Sequence, residues 1–123
     1  MATTSGRMQK RSIEAPDETR PAGRAEAAVV TINSLTFARI AGRTGWRWST
    51  DARPIDRTDS CRAVHTGLVL SGRLHVVMDD GAEEEIWPGD LYHIAAGHDA
   101  RAVGDEPYAC AVVTGSFEWA KPR

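Results

Sequence analysis

The 123-residue chain lacks most of the features that assign a protein to a large class at sight. No segment approaches the roughly 18 consecutive apolar residues of a membrane-spanning helix, so no membrane span is expected. Met1 to Arg11 is polar and lacks the apolar run of a secretory leader. Cys61 and Cys110 are the only cysteines, too few for a disulfide framework. The expected setting is therefore cytoplasmic, with both thiols reduced. An excess of one charge is also missing: 15 Lys and Arg stand against 17 Asp and Glu, a net charge of -2. Neither nucleic acid nor membrane is thus an expected partner. The chain contains no phosphate-cradling glycine loop and no nucleophile elbow. No apolar helical period runs longer than a turn or two.

What the chain does contain is a series of short apolar segments separated by tight-turn pairs. Between Gly67 and Pro107 the breaks fall at Ser71-Gly72, Asp79-Asp80-Gly81, Pro88-Gly89-Asp90, Ala96-Gly97 and Gly104-Asp105. Strands so short can bury their apolar faces only by curling into a small antiparallel barrel. The expected interior positions are Leu68 and Leu70; Leu74, Val76 and Met78; Leu91 or Tyr92 with Ile94; and Ala109, Ala111 and Val113. Upstream, Ala28–Ile32, Asn33-Ser34 and Leu35–Ile40 read as a hairpin, with Asn33 tolerating positive φ at the turn. Trp46 and Trp48 are two apart and would share one face of a strand. Ser49 to Ser60 reads as an irregular link. Residues 1–24 are polar and read as a flexible N-terminal arm, leaving 25–123 as a single barrel domain. Phe117 and Trp119 in the tail are expected to lie back across a barrel opening or a partner subunit.

The residues also carry a resemblance to a family. Gly72 fits the closing glycine of the first cupin motif, and Gly89, Gly97 and the strand between them fit the second. The chain resembles the cupin superfamily over roughly Gly45 to Val113, which implies an all-β, double-stranded β-helix: a jelly-roll, cupin-like barrel. Within that superfamily it is similar to a subgroup of small single-domain cupins. The matching blocks are Gly45-Trp46-Arg47-Trp48-Ser49, Asp59-Ser60-Cys61 through His65-Thr66-Gly67, Met78-Asp79-Asp80-Gly81 and Gly97-His98-Asp99-Ala100. The resemblance also implies a homodimer, paired through N-terminal strands. The exposed edge of the hairpin at Ala28 to Ile40 supports that expectation. Family metal positions depart from the usual pattern: the glutamate position falls on His65, one alignment puts a histidine position on Cys61, and the motif-two histidine position falls on Ala100, two residues after His98.

Cys61, His65 and His98 are the candidate metal ligands, since thiolate and imidazole suit zinc or iron, with manganese a further divalent candidate. Residues four apart on one extended strand lie about 13 Å from each other, so Cys61 and His65 can share an ion only if the chain bends between them. Asp59 could add a carboxylate ligand or orient His65, or simply close a turn. His75 has the opposite pleat parity to Leu74 and Val76 and should face outward. His93 is assigned to the surface or a subunit interface, and the Glu83-Glu84-Glu85 run to a solvated edge.

Two functions follow, and the absence of the usual histidine pair favours the first. In the first, the barrel binds a small, anionic organic molecule, with Arg39, Arg47 or Arg62 clamping the anion, Trp46 or Trp48 contacting its apolar part, and His65 and His98 in the pocket. In the second, the protein is a metal-dependent cupin enzyme of dioxygenase or isomerase type with Cys61, His65 and His98 as ligands. A sensor or partner-binding module is a weaker third reading. No catalytic residue is assigned from the sequence.

Overall fold

The computed structural model describes residues 3–4, 7–114 and 119. Strands β1 (Thr3–Thr4) and β2 (Gln9–Lys10) pair with each other. Strands β3 (Glu18–Ala22), β4 (Ala25–Ile32) and β5 (Leu35–Gly42) follow. Two single-turn helices come next, α1 (Trp48–Asp51) and α2 (Arg53–Asp56). The remaining strands are β6 (His65–Ser71), β7 (Leu74–Met78), β8 (Glu83–Ile86), β9 (Leu91–Ile94), β10 (His98–Ala102) and β11 (Tyr108–Thr114). They form a six-stranded sheet in the order β3-β4-β5-β11-β6-β9 and a three-stranded sheet in the order β10-β7-β8, with every pairing antiparallel. This is the expected all-β jelly roll.

The expected hairpin is present. Asn33 and Ser34 take φ of 46° and 67°, two left-handed residues that let β4 turn directly into β5. Side chains then alternate: Ala38 and Ile40 are buried, while Leu35 and Phe37 face out. Inward rows run across the large sheet at matching register. Ile40, Cys110 and Val69 form one row; Ala38, Val112, Gly67 and Tyr92 form the next. No side chain fits at Gly67, because a Cβ there would collide with the Ala111 carbonyl and lie 3.1 Å from the Tyr92 hydroxyl.

Several expectations change. Strand pairing occurs inside the segment read as a flexible arm: β1 pairs with β2, and β3 pairs with β4 from Glu18 onward. The polar composition concealed this because backbone pairing and hydrogen bonds hold the segment, with little apolar burial. Arg20 is buried and donates to the Trp119 carbonyl at 3.2 Å, and Asp17 accepts the Thr31 amide at 2.8 Å. The edge of the hairpin is covered within the chain, by β3 on one side and β11 on the other. Pleat parity is opposite to expectation in two strands. Val69 is buried while Leu70 is exposed, and Tyr108, Cys110 and Val112 face in where Ala109, Ala111 and Val113 were expected. The segment Ser49 to Ser60 carries α1 and α2, pinned by Trp48 Nε1–H donating to the buried Asp56 carboxylate at 2.9 Å. Arg57, at φ 59°, ends α2.

The two sheets meet at one side through the segment before β6. Isolated bridges join Arg47 to Arg101 and Cys61 to His98, which covers the free edge of β10. On the other side, β8 and β9 are the outermost strands of their sheets.

Candidate metal centre

Cys61 sits on the small sheet and His65 on the large one. The Cys61 amide donates to the His98 carbonyl at 2.7 Å, and the Gly97 amide donates to the Cys61 carbonyl at 2.7 Å. The chain then crosses at residues 62–64 and enters β6 at His65. That crossing supplies the required bend. Cys61 Sγ lies 3.8 Å from His65 Nε2, where one straight strand would hold the residues about 13 Å apart. The His65 and His98 ring centroids are 5.3 Å apart and meet at 71°. One donor atom from each of Cys61, His65 and His98 falls within 4.8 Å of the others, and all three residues are buried.

His98 is oriented by its own turn. Gly97 has φ +92°, and a Cβ there would lie 2.8 Å from an Asp79 carboxylate oxygen. His98 Nδ1 lies 2.8 Å from the Ala95 carbonyl oxygen. A carbonyl only accepts, so Nδ1 carries the proton and Nε2 keeps its lone pair. A backbone carbonyl fixing the far nitrogen is the usual support for a metal-binding imidazole.

The low-dielectric surroundings keep these groups neutral. Burial pushes the Cys61 thiol up to about 12. Burial, then the neighbouring His98, holds His65 down at about 3. Burial also lowers His98, opposed by its bond to the Ala95 carbonyl. Two neutral imidazoles and a thiol that loses its proton to a metal form a donor set suited to zinc or iron, and less to manganese, which prefers oxygen. The residues present therefore fit a transition-metal ion.

The small cavity beside these groups has a volume of about 20 Å³, with Trp46, Trp48, Tyr92, Cys110 and Trp119 among its walls. The Trp46 ring meets Trp119 at 6.3 Å between centroids, tilted by 40°, and Tyr108 at 5.5 Å, tilted by 51°. The buried Trp46 indole N–H has no hydrogen-bond partner among the described residues.

The sequence-derived candidates separate cleanly. The structure brings together Cys61, His65, His98, Trp46 and Trp48. It leaves the arginines outside. Arg39 alternates with the inward Ala38 and Ile40 and pairs on the outer face with Glu14 at 2.7 Å. Arg47 is exposed and bridges Arg101, and Arg62, next to the inward Cys61, turns out toward Asp79 at 3.8 Å. Asp59 is exposed, 3.5 Å from Arg53, away from the cavity. His75 faces out, as expected, against Glu83 at 2.8 Å. His93 is exposed and lies 2.8 Å from the Thr66 hydroxyl. Trp119 lines the cavity; Phe117 lies outside the described residues. Sequence reasoning did not assign Tyr92 and Cys110 to the site. Tyr92 carried a signal, its shared parity with Ile94, whereas Cys110 lay hidden by the parity chosen for its strand.

No family model and no curated protein matches the chain. Solved structures do. A protein of unknown function from Rhizobium leguminosarum bv. viciae superposes with a TM-score of 0.60 at 21% identity, over 87% of this chain and 95% of that one. A sugar phosphate isomerase from a cupin superfamily, from Silicibacter pomeroyi, gives 0.58 at 20%, over 85% and 73%. A cupin-2 domain from Rhodospirillum rubrum gives 0.57 at 19%, over 93% and 70%. Two of these three are described as cupins, and the likeness shows a cupin-type barrel.

Proposed function

We propose that this barrel is the metal centre of a metal-dependent enzyme, holding one zinc or iron ion through Cys61, His65 and His98. The observation that carries the reading is the convergence of three buried donor residues, their donor atoms within 4.8 Å of one another, inside the barrel. Cavity size supports the second of the two functions expected from the sequence. Organic ligands occupy pockets of roughly 300 Å³ or more, and about 20 Å³ admits an ion or one water-sized group. Among the described residues, no arginine lines that space to clamp an anion. Three protein ligands leave coordination positions open, as in catalytic rather than structural sites. The unpartnered Trp46 N–H offers a donor to an oxygen atom bound there. A bound ion would supply Lewis-acid polarisation or, as iron, redox chemistry; the reaction type is isomerase or dioxygenase. The isomerase among the structural neighbours supports that range.

The reading extends to the small-cupin subgroup, because its blocks converge on the site: Trp46 and Trp48 from the first, Cys61 and His65 from the second, His98 from the last. Two free, buried cysteines suit a reducing cytoplasm. No helix among the described residues is long and apolar enough to cross a membrane. A homodimer belongs to the proposal as well, across the outer face of the large sheet, where Phe37 and Val113 pair while still exposed.

Metal quantified in protein purified without an affinity tag tests the proposal. Near-stoichiometric zinc or iron that vanishes in Cys61→Ala and His65→Ala is expected. Protein that takes up no metal, even after reconstitution, refutes it.

A further inference from the structure

The cavity of about 20 Å³ at the metal centre is too small for an organic substrate, but its wall is shared. On the far side of Tyr92 and Ile94 lies an open groove of about 560 Å³, between the edges of β8 and β9. Its floor is apolar, built from Val76, Met78, Ile86, Tyr92 and Ile94. Its rim is acidic, with Glu83, Glu84, Glu85 and Asp90 beside His93, and among the described residues no lysine or arginine lines it.

These four acids are not equivalent. Glu83 meets His75 at 2.8 Å and Glu85 meets Arg73 at 3.1 Å, both on the outer face. Asp90 accepts the Trp87 amide at 2.8 Å within its turn. Glu84 differs. It stands directly across from the buried Val76, two residues before the buried Ile86, so pleating places it on the inner face of the sheet. It is exposed there only because no strand closes the seam, and among the described residues it has no ion-pair or hydrogen-bond partner. A lone carboxylate on the interior side of a barrel, above an apolar floor, is complementary to a cation with an apolar body.

We propose that this groove binds a small protonated amine with an apolar body, its ammonium on Glu84 and its body against Met78, Ile86 and Tyr92. The inference deepens the metal-centre reading, and depends on it only in naming the occupant a substrate. Tyr92 and Ile94 then form the partition that must shift for the occupant to meet Cys61, His65 and His98.

Hexylamine, 1-hexanol and hexanoate share one apolar body and differ in charge. Each is titrated, by calorimetry and by amide NMR shifts, into the zinc-loaded and the metal-free chain. The expected order is hexylamine tightest, by about five-fold over hexanol, a modest gain because the site is half open to water. Hexanoate should bind weakest. The shifts should concentrate in Ala82–Ile86 and Leu91–Ala95. Glu84→Gln should bring hexylamine to the level of hexanol, and Glu83→Gln should leave the order intact. Equal binding of amine and alcohol, tighter binding of the carboxylate, shifts elsewhere, or no saturable binding overturns the proposal. The metal-free arm separates the two readings: the amine preference should persist there, so a failure of metal uptake leaves it standing. Loss of the preference in a metal-loaded chain sinks the groove alone.

Discussion

Metal binding at this site should expel about one proton per ion, and the proton should come from Cys61. The free thiol is pushed up to about 12 by burial, so at pH 7.5 it is protonated by a margin of about 4.5 pH units. Removing that proton costs about 6 kcal/mol at 1.36 kcal/mol per unit, which the metal–thiolate bond must exceed. The imidazoles add nothing to the count. His65 is held down at about 3 and His98 lies below its ordinary value, so both are neutral at that pH. Calorimetric titration of zinc into metal-free protein, repeated in buffers of different ionisation enthalpy, reads the proton number from the slope. The expected slope is about one for the wild type and for any residual binding by His65→Ala, and near zero for any residual binding by Cys61→Ser. Tight stoichiometric binding with no proton release would show that the thiol is not a ligand.

Acid should destabilise the metal-free chain. A histidine whose folded value lies near 3, below its ordinary 6.5, is neutral when folded and binds a proton more readily when unfolded. Stability is therefore present in full above about pH 6.5 and lost as pH falls toward 3, at up to about 1.4 kcal/mol per pH unit for each such histidine. Urea midpoints between pH 7.5 and 4.5 read this, and a flat profile contradicts it. Asp56→Ala removes the acceptor of the buried Trp48 indole and should cost about 1–3 kcal/mol in urea unfolding. Gly97→Ala places a Cβ at φ +92° against Asp79; strain of about 1–3 kcal/mol in the turn that aims His98 should lower zinc affinity in a competition titration. Arg47→Ala and Arg62→Ala should leave zinc affinity unchanged, because both side chains lie outside the cavity.

The barrel was legible because turns announce themselves. Asn33-Ser34 and the glycines at 72, 81, 89, 97 and 104 all take the positive φ that a tight turn demands, and the strands between are too short for anything but a curled sheet. Parity was legible where one face is uniformly apolar, as at Leu74, Val76 and Met78. It was not legible in β6 and β11. There both faces carry small or apolar residues, so hydropathy does not distinguish Val69 from Leu70 or Cys110 from Ala111, and neighbouring strands decide. The metal triad was legible as chemistry but not as geometry: the bend from Cys61 to His65 comes from the crossing between sheets, set by the Cys61–His98 bridge. The arginines misled for the opposite reason. Their charge suggested an anion clamp, while their place beside inward residues turned them to solvent. The Glu83-Glu84-Glu85 run shows the same limit, since composition makes a solvated edge of all three and only register puts the middle one inside.

Cobalt(II) substitution addresses the metal centre most directly, because a thiolate bound to cobalt gives an intense near-ultraviolet charge-transfer band. Metal-free protein should take up one equivalent and develop that band, Cys61→Ser should lose it, and zinc should displace it. Absence of uptake at equimolar cobalt, or a band that survives in Cys61→Ser, would contradict a Cys61, His65 and His98 centre.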